Sequence, residues 1–191
     1  MNVSEDNARE SLAKVKEVMG QTHRSIASAY SNPLLILWGV LWIIAFTAAY
    51  FYPDHDFHIF MAMVAAGGVG TAVIRQVFRS KIPIQDISSR IGWRIALLWI
   101  LLYIYVVIWL FLLAPFNSLQ CNAVISTAAM FAFAVIGLWF ESYFMVLLGL
   151  AVTVATLAGF YLLTDYYHLW MAVTGGGAML GTGLYIRLRW R

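Results

Sequence analysis

Six runs of 18 to 20 residues constrain this chain more than anything else in it. They lie at 34–51, 59–78, 95–113, 123–140, 144–163 and 169–186, and only Arg75 interrupts them with a charge. A helix needs about 20 predominantly apolar residues to cross the hydrocarbon core of a bilayer. Lipid offers the backbone no hydrogen bonds, so such runs must be helices or strands of a closed barrel. Barrel strands alternate polar and apolar side chains, and these runs do not. The expected fold is therefore all-α, a polytopic membrane protein with six transmembrane helices arranged as three helical hairpins. Composition excludes the alternatives. The chain is 62% hydrophobic and 11% charged, whereas a soluble domain carries about 25% charged residues. A single core cannot hide that much apolar surface in a chain of 191 residues, so a soluble enzyme and a disordered chain are both excluded.

The twelve Lys and Arg residues sort to one side of this arrangement. Arg9, Lys14, Lys16 and Arg24 precede the first span. Arg75, Arg79, Lys81, Arg90 and Arg94 surround the second connection, and Arg187, Arg189 and Arg191 follow the last span. The opposite side holds Asp54, Asp56 and Asp165. Cytoplasmic loops carry the excess of Lys and Arg, which places both termini in the cytoplasm. The net charge of +3 is then a topology signature, and no nucleic-acid partner is expected. Residues 1–31 are polar and contain no apolar signal-peptide core, so the first span is expected to direct its own insertion. Cys121 is the single cysteine; it reads as a buried thiol, with a bridge between two copies as the alternative.

A shift of 110 positions aligns residues 31–70 with 141–180 and gives eight identical pairs, His58/His168, Gly39/Gly149 and Gly67/Gly177 among them. A shift of 62 adds weaker matches, including Pro53/Pro115 and Phe78/Phe140. These matches suggest an internal repeat of hairpins that enter from the same side, related by an axis along the membrane normal. Small residues crowd the second and sixth spans. Gly67 and Gly70 on one, and the GxxxG pair Gly177 and Gly181 on the other, are candidate helix-packing positions. Packing within the monomer is the simpler use of them, a dimer interface or a thin-walled pore the other. Ser126, Thr127, Thr153, Thr156, Thr174 and Thr182 either line a path for a small neutral solute or bond to helix backbone.

Two polar elements lie on the basic side. Residues 1–31 read as an amphipathic helix with a narrow apolar seam through Leu12, Val15, Met19 and Ile26. It rests on the bilayer or bundle, or docks a partner through those residues. The connection 80–94 reads as a short interfacial helix with Ile84, Ile87 and Ile91 on one face. Residues 32–191 then form the six-helix transmembrane domain. On the opposite side, His55, His58, Asp165 and His168 are the candidate metal ligands, since imidazoles and carboxylates suit zinc or another divalent ion. His can equally sense acidification, and a merely solvated interface is the simplest reading. Tyr166, Tyr167 and Trp170 read as an aromatic belt.

Asn32-Pro33 followed by Leu37-Trp38-Gly39, the charged tail, and a Gly-rich last helix ending in basic residues resemble a group of bacterial six-helix integral membrane proteins with a charged N-terminal helix. Genes of that group often accompany small winged-helix regulators, so the resemblance implies a regulatory role at the bacterial inner membrane. The expected function is a non-enzymatic sensor, regulatory or assembly protein, with a small-solute channel or transporter as the alternative. No catalytic residue and no cofactor is expected. The expected partners are the lipid bilayer and a cytoplasmic protein or a second copy of the chain.

Overall fold

The computed structural model describes residues 32–79 and 85–189. The amphipathic seam Leu12, Val15, Met19 and Ile26 lies outside the described residues. The fold is all-α, and among the described residues six helices are long and apolar enough to cross a membrane. Helix α1 (Asn32–Phe51) is followed by α2 (Asp56–Arg79), α3 (Gln85–Leu112), α4 (Ser118–Trp139) and α5 (Tyr143–Leu162). The sixth span is divided. A five-residue helix α6 (Tyr167–Met171) runs through a π turn (Ala172–Gly176) into α7 (Gly177–Arg189).

Two boundaries differ from the sequence expectation. Residues 85–94 are helical, as expected, but they form the first turns of α3 rather than a separate surface helix. Pro83 precedes Gln85, and no proline interrupts the sequence from there to Leu112. With nothing to break the hydrogen-bond ladder, propagation continues into the apolar run. Helix α4 begins at Ser118, not at 123, because Asn117 caps it. The Asn117 side chain accepts from the Gln120 N–H at 2.7 Å, and the Gln120 side chain accepts from the Asn117 N–H at 3.1 Å. This reciprocal capping box satisfies two helix-start donors at once.

The turns of the first and third hairpins share one geometry. Tyr52 (φ −130°, ψ 64°) and Leu163 (φ −132°, ψ 43°) each leave a helix and lead into a three-residue 3₁₀ turn, Pro53–His55 and Thr164–Tyr166. Asp56 and Tyr167 then open the next helices, and both are buried. Tyr50 and Tyr166 stack at 6.4 Å, joining the two turns. The α4–α5 turn is tighter, spanning Phe140 to Ser142. Glu141 sits there at φ 52°, in the left-handed region that a side chain disfavours. Because Glu141 is exposed, Glu141→Gly should raise stability by about 1 kcal/mol, read as a higher melting temperature in detergent.

Backbone contact holds the helices together where glycine allows it, as expected where lipid removes the hydrophobic drive between helices. Gly137 and Gly149 bring α4 and α5 together; a Cβ on Gly149 would lie 2.7 Å from the Met130 carbonyl. The sixth span returns antiparallel to α1 along Gly176, Leu180 and Gly183, which face Gly39, Ile43, Ile36 and Asn32. A Cβ on Gly39 would lie 2.5 Å from the Leu180 nitrogen and 3.0 Å from the Gly176 oxygen. The GxxxG pair expected from the sequence does not make this seam. A Cβ on Gly181 meets nothing within 4 Å, and one on Gly177 only the Ala172 carbonyl at 4.0 Å. A π turn inserts an extra residue into the ladder and rotates the remainder of the span by about 100° relative to a regular helix. Gly175, Gly176 and Gly183 therefore face α1 instead. On α2, Gly67 receives the Trp38 ring and Gly70 the Leu37 side chain, as packing positions. The Trp38 indole also donates to the Thr71 hydroxyl at 3.2 Å. Phe46, Met130, Val152, Tyr167, Met171 and Met179 are buried at the centre.

Candidate functional site: a buried Asp–Asn–His triad at the hairpin turns

Most hydroxyls in the spans bond to their own helices. Thr127, Thr153, Thr156 and Thr174 donate to carbonyls of the preceding turn, at 2.7 to 3.0 Å. The polar group that crosses between helices is different and lies at the turn end. Asp56 opens α2, where the positive end of a long helix favours a carboxylate. Asn122 lies on α4 and His168 on α6, so each of the three hairpins contributes one residue. The Asn122 Nδ2 donates to Asp56 Oδ2 at 2.8 Å and lies 3.4 Å from His168 Nε2. His168 Nε2 is 3.7 Å from Asp56 Oδ1. The side chains of Asp56 and His168 are 9% and 16% exposed.

Apolar and aromatic groups close the site on the bundle side. The Phe46 ring of α1 lies 6.1 Å from the His168 ring, 6.4 Å from Tyr167 and 4.9 Å from Phe60 of α2, so it forms a floor beneath the triad. Two buried polar atoms here have no hydrogen-bond partner, Asp56 Oδ1 and the Tyr167 hydroxyl. The hydroxyl points toward Ser126 of α4, itself buried, but outside bonding geometry. Cys121, half-buried, lies close enough to Asp56 to feel its charge. An unpaired buried carboxylate oxygen is costly, so its presence beside an imidazole marks this place out.

The structure does not bring the four sequence candidates together. His55, His58 and Asp165 are exposed on the turns, and His58 packs edge-on against Phe57 at 5.8 Å. Only His168 enters the site. Among the described residues, no group of three or more His, Cys, Asp or Glu is placed to hold a metal ion. The aligned histidines are also not equivalent in space. Helix boundaries and turns of the two hairpins match at a shift of 111, which sets Leu169, not His168, against His58 and Tyr167 against Asp56. Of the three residues read as an aromatic belt, Tyr166 is the exposed one. Tyr167 is fully buried, and the half-buried Trp170 donates to the Ala155 carbonyl at 2.7 Å, over the notch at Gly159. Sequence reasoning missed Asn122 altogether. Its one signal was a carboxamide at the head of an apolar run, where an unpaired amide is expensive. No family model, no curated protein and no solved structure matches this chain.

Proposed function

We propose that this is a non-enzymatic sensor, regulatory or assembly protein of the bacterial inner membrane, multi-pass with both termini cytoplasmic, that works through a cytoplasmic partner. Helix α1 supports this reading over a small-solute channel. Five of the glycines on the second and sixth spans are covered by its side chains, although Gly68, Gly177 and Gly181 are not. Trp38 and Leu37 occupy Gly67 and Gly70, while Trp42, Ile43 and Ile36 occupy Gly175, Gly176 and Gly183. Charge distribution supports the orientation. Arg75, Arg94 and Arg187 lie at the end opposite the hairpin turns, which carry Asp54 and Asp165. The common turn geometry of hairpins one and three supports an internal repeat.

Two measurements test the function. Purified protein in liposomes should pass ions and small neutral solutes no faster than empty vesicles. Flux above that level, increased further by Trp38→Ala, would establish the channel reading instead. Removal of residues 1–21 should abolish capture of cytoplasmic partners while leaving the helical bundle intact; retained capture would remove the tail from the mechanism.

A further inference from the structure

With the His168 hydrogen on Nδ1, acceptors outnumber donors in the buried triad. Asp56 Oδ1, Asp56 Oδ2 and His168 Nε2 converge, and the Asn122 amide is the donor that the geometry supplies. One amide N–H goes to Oδ2. The 3.4 Å approach of the same nitrogen to Nε2 makes a bond only when Nε2 carries a lone pair. That lone pair then faces Asp56 Oδ1, which is buried and unpartnered, across 3.7 Å. Two acceptors opposed in this way need a hydrogen between them, and a proton added to Nε2 supplies it.

We propose that the gap between His168 Nε2 and Asp56 Oδ1 is a binding site for a single proton. The proton arrives from the hairpin-turn side, where His168 keeps its 16% exposure, and bonds to the Nε2 lone pair. The imidazolium then donates to Asp56 Oδ1 and releases the Asn122 amide from Nε2, while the Asn122 bond to Oδ2 remains. Closing the pair to a charge-assisted hydrogen bond of about 2.8 Å draws α6 toward α2 and loosens its tie to α4. Proton binding thus shifts the balance between two arrangements of the three hairpins. Among the described residues, Cys121 on α4 and Tyr167 on α6 are the titratable groups close enough to feel the Asp56 charge, and α1 packs the Phe46 ring against the His168 ring.

A divalent metal fits less well. Zinc bonds of about 2.0 to 2.1 Å in tetrahedral geometry need further ligands. No third His, Cys, Asp or Glu joins the pair among the described residues, and the nearby amide turns its N–H side to both acceptors. As the stimulus of a sensor, the proton rests on the function proposed above; its binding does not, and binding is what the experiment reads.

The full chain in nanodiscs, with His23, His55 and His58 replaced by Gln and the remaining histidine ring labelled with nitrogen-15, isolates His168. Between about pH 8 and pH 5, the range in which imidazoles change charge, the ring should take up one proton on Nε2. Asp56→Asn should weaken that uptake by about tenfold or more, one unit on the pH axis. A ring that does not titrate in this range overturns the proposal, as does an unchanged midpoint in Asp56→Asn. Should that variant not fold, the parent decides the same point. Its Nε2 proton should exchange slowly with water at low pH, and exchange as fast as in free histidine overturns the proposal. Zinc should leave the ring signals unchanged. Stoichiometric zinc binding that blocks the titration would replace the proton as occupant, whereas a flux-competent protein with this titration intact would overturn only the sensor reading.

Discussion

Gly39→Leu should prevent the bundle from closing, while Gly181→Leu should leave it unchanged. A Cβ on Gly39 would lie 2.5 Å from the Leu180 nitrogen, 2.9 Å from its Cα and 3.0 Å from the Gly176 oxygen. All three are backbone atoms, so no rotamer change relieves the clash; α1 and α7 must separate along their length. Overpacking a well-packed contact costs about 1 to 3 kcal/mol when side chains can shift, and here they cannot. A loss of at least about 3 kcal/mol is expected, read as a collapsed monodisperse yield or a large drop in melting temperature. Gly176→Leu should behave alike from the other side of the seam, against Ile43 and the Gly39 oxygen. Gly181 faces open space, so a leucine there should change stability by less than about 0.5 kcal/mol. Equal damage at both positions would show that Gly181 packs against something, a second copy being the first candidate.

That contrast also shows what the sequence makes legible. Spanning helices are set by the number of apolar residues in a row, a property read directly from the chain, and all six are found where the runs lie. The hairpin at Glu141 is equally legible, since the fourth and fifth runs together exceed one bilayer crossing. Which glycine faces a neighbour depends instead on helix phase. One π turn at Ala172–Gly176 moves the seam from Gly177 and Gly181 to Gly176 and Gly183, and nothing in GxxxG spacing announces it. The triad is harder still. Asp56 and Asn122 stand 66 positions apart, and Asn122 and His168 stand 46 apart. Their meeting depends on how three hairpins assemble. His58 and His168 invited comparison by alignment, yet turn geometry at Tyr52 and Leu163 sets the register one residue away.

Asn122→Leu should destabilise the protein more than the loss of one interhelical hydrogen bond would suggest. Such bonds in membrane bundles average about 0.6 kcal/mol, with the largest near 1.7. The acceptor here is a carboxylate whose side chain is 9% exposed and whose other oxygen already lacks a partner. Removing the amide leaves a buried charge without a direct hydrogen bond, and the desolvation penalty rather than the bond sets the cost, at about 3 kcal/mol. The sign of a second substitution separates the two accounts. If the carboxylate's burial dominates, Asp56→Leu added to Asn122→Leu should restore much of the lost stability, because removing both partners costs far less than removing one. If each residue contributes independently through packing, the two losses should add. Unfolding of the single and double variants in mixed micelles measures the difference directly. An additive result would mean that Asp56 is not held as a buried anion at the junction of the three hairpins.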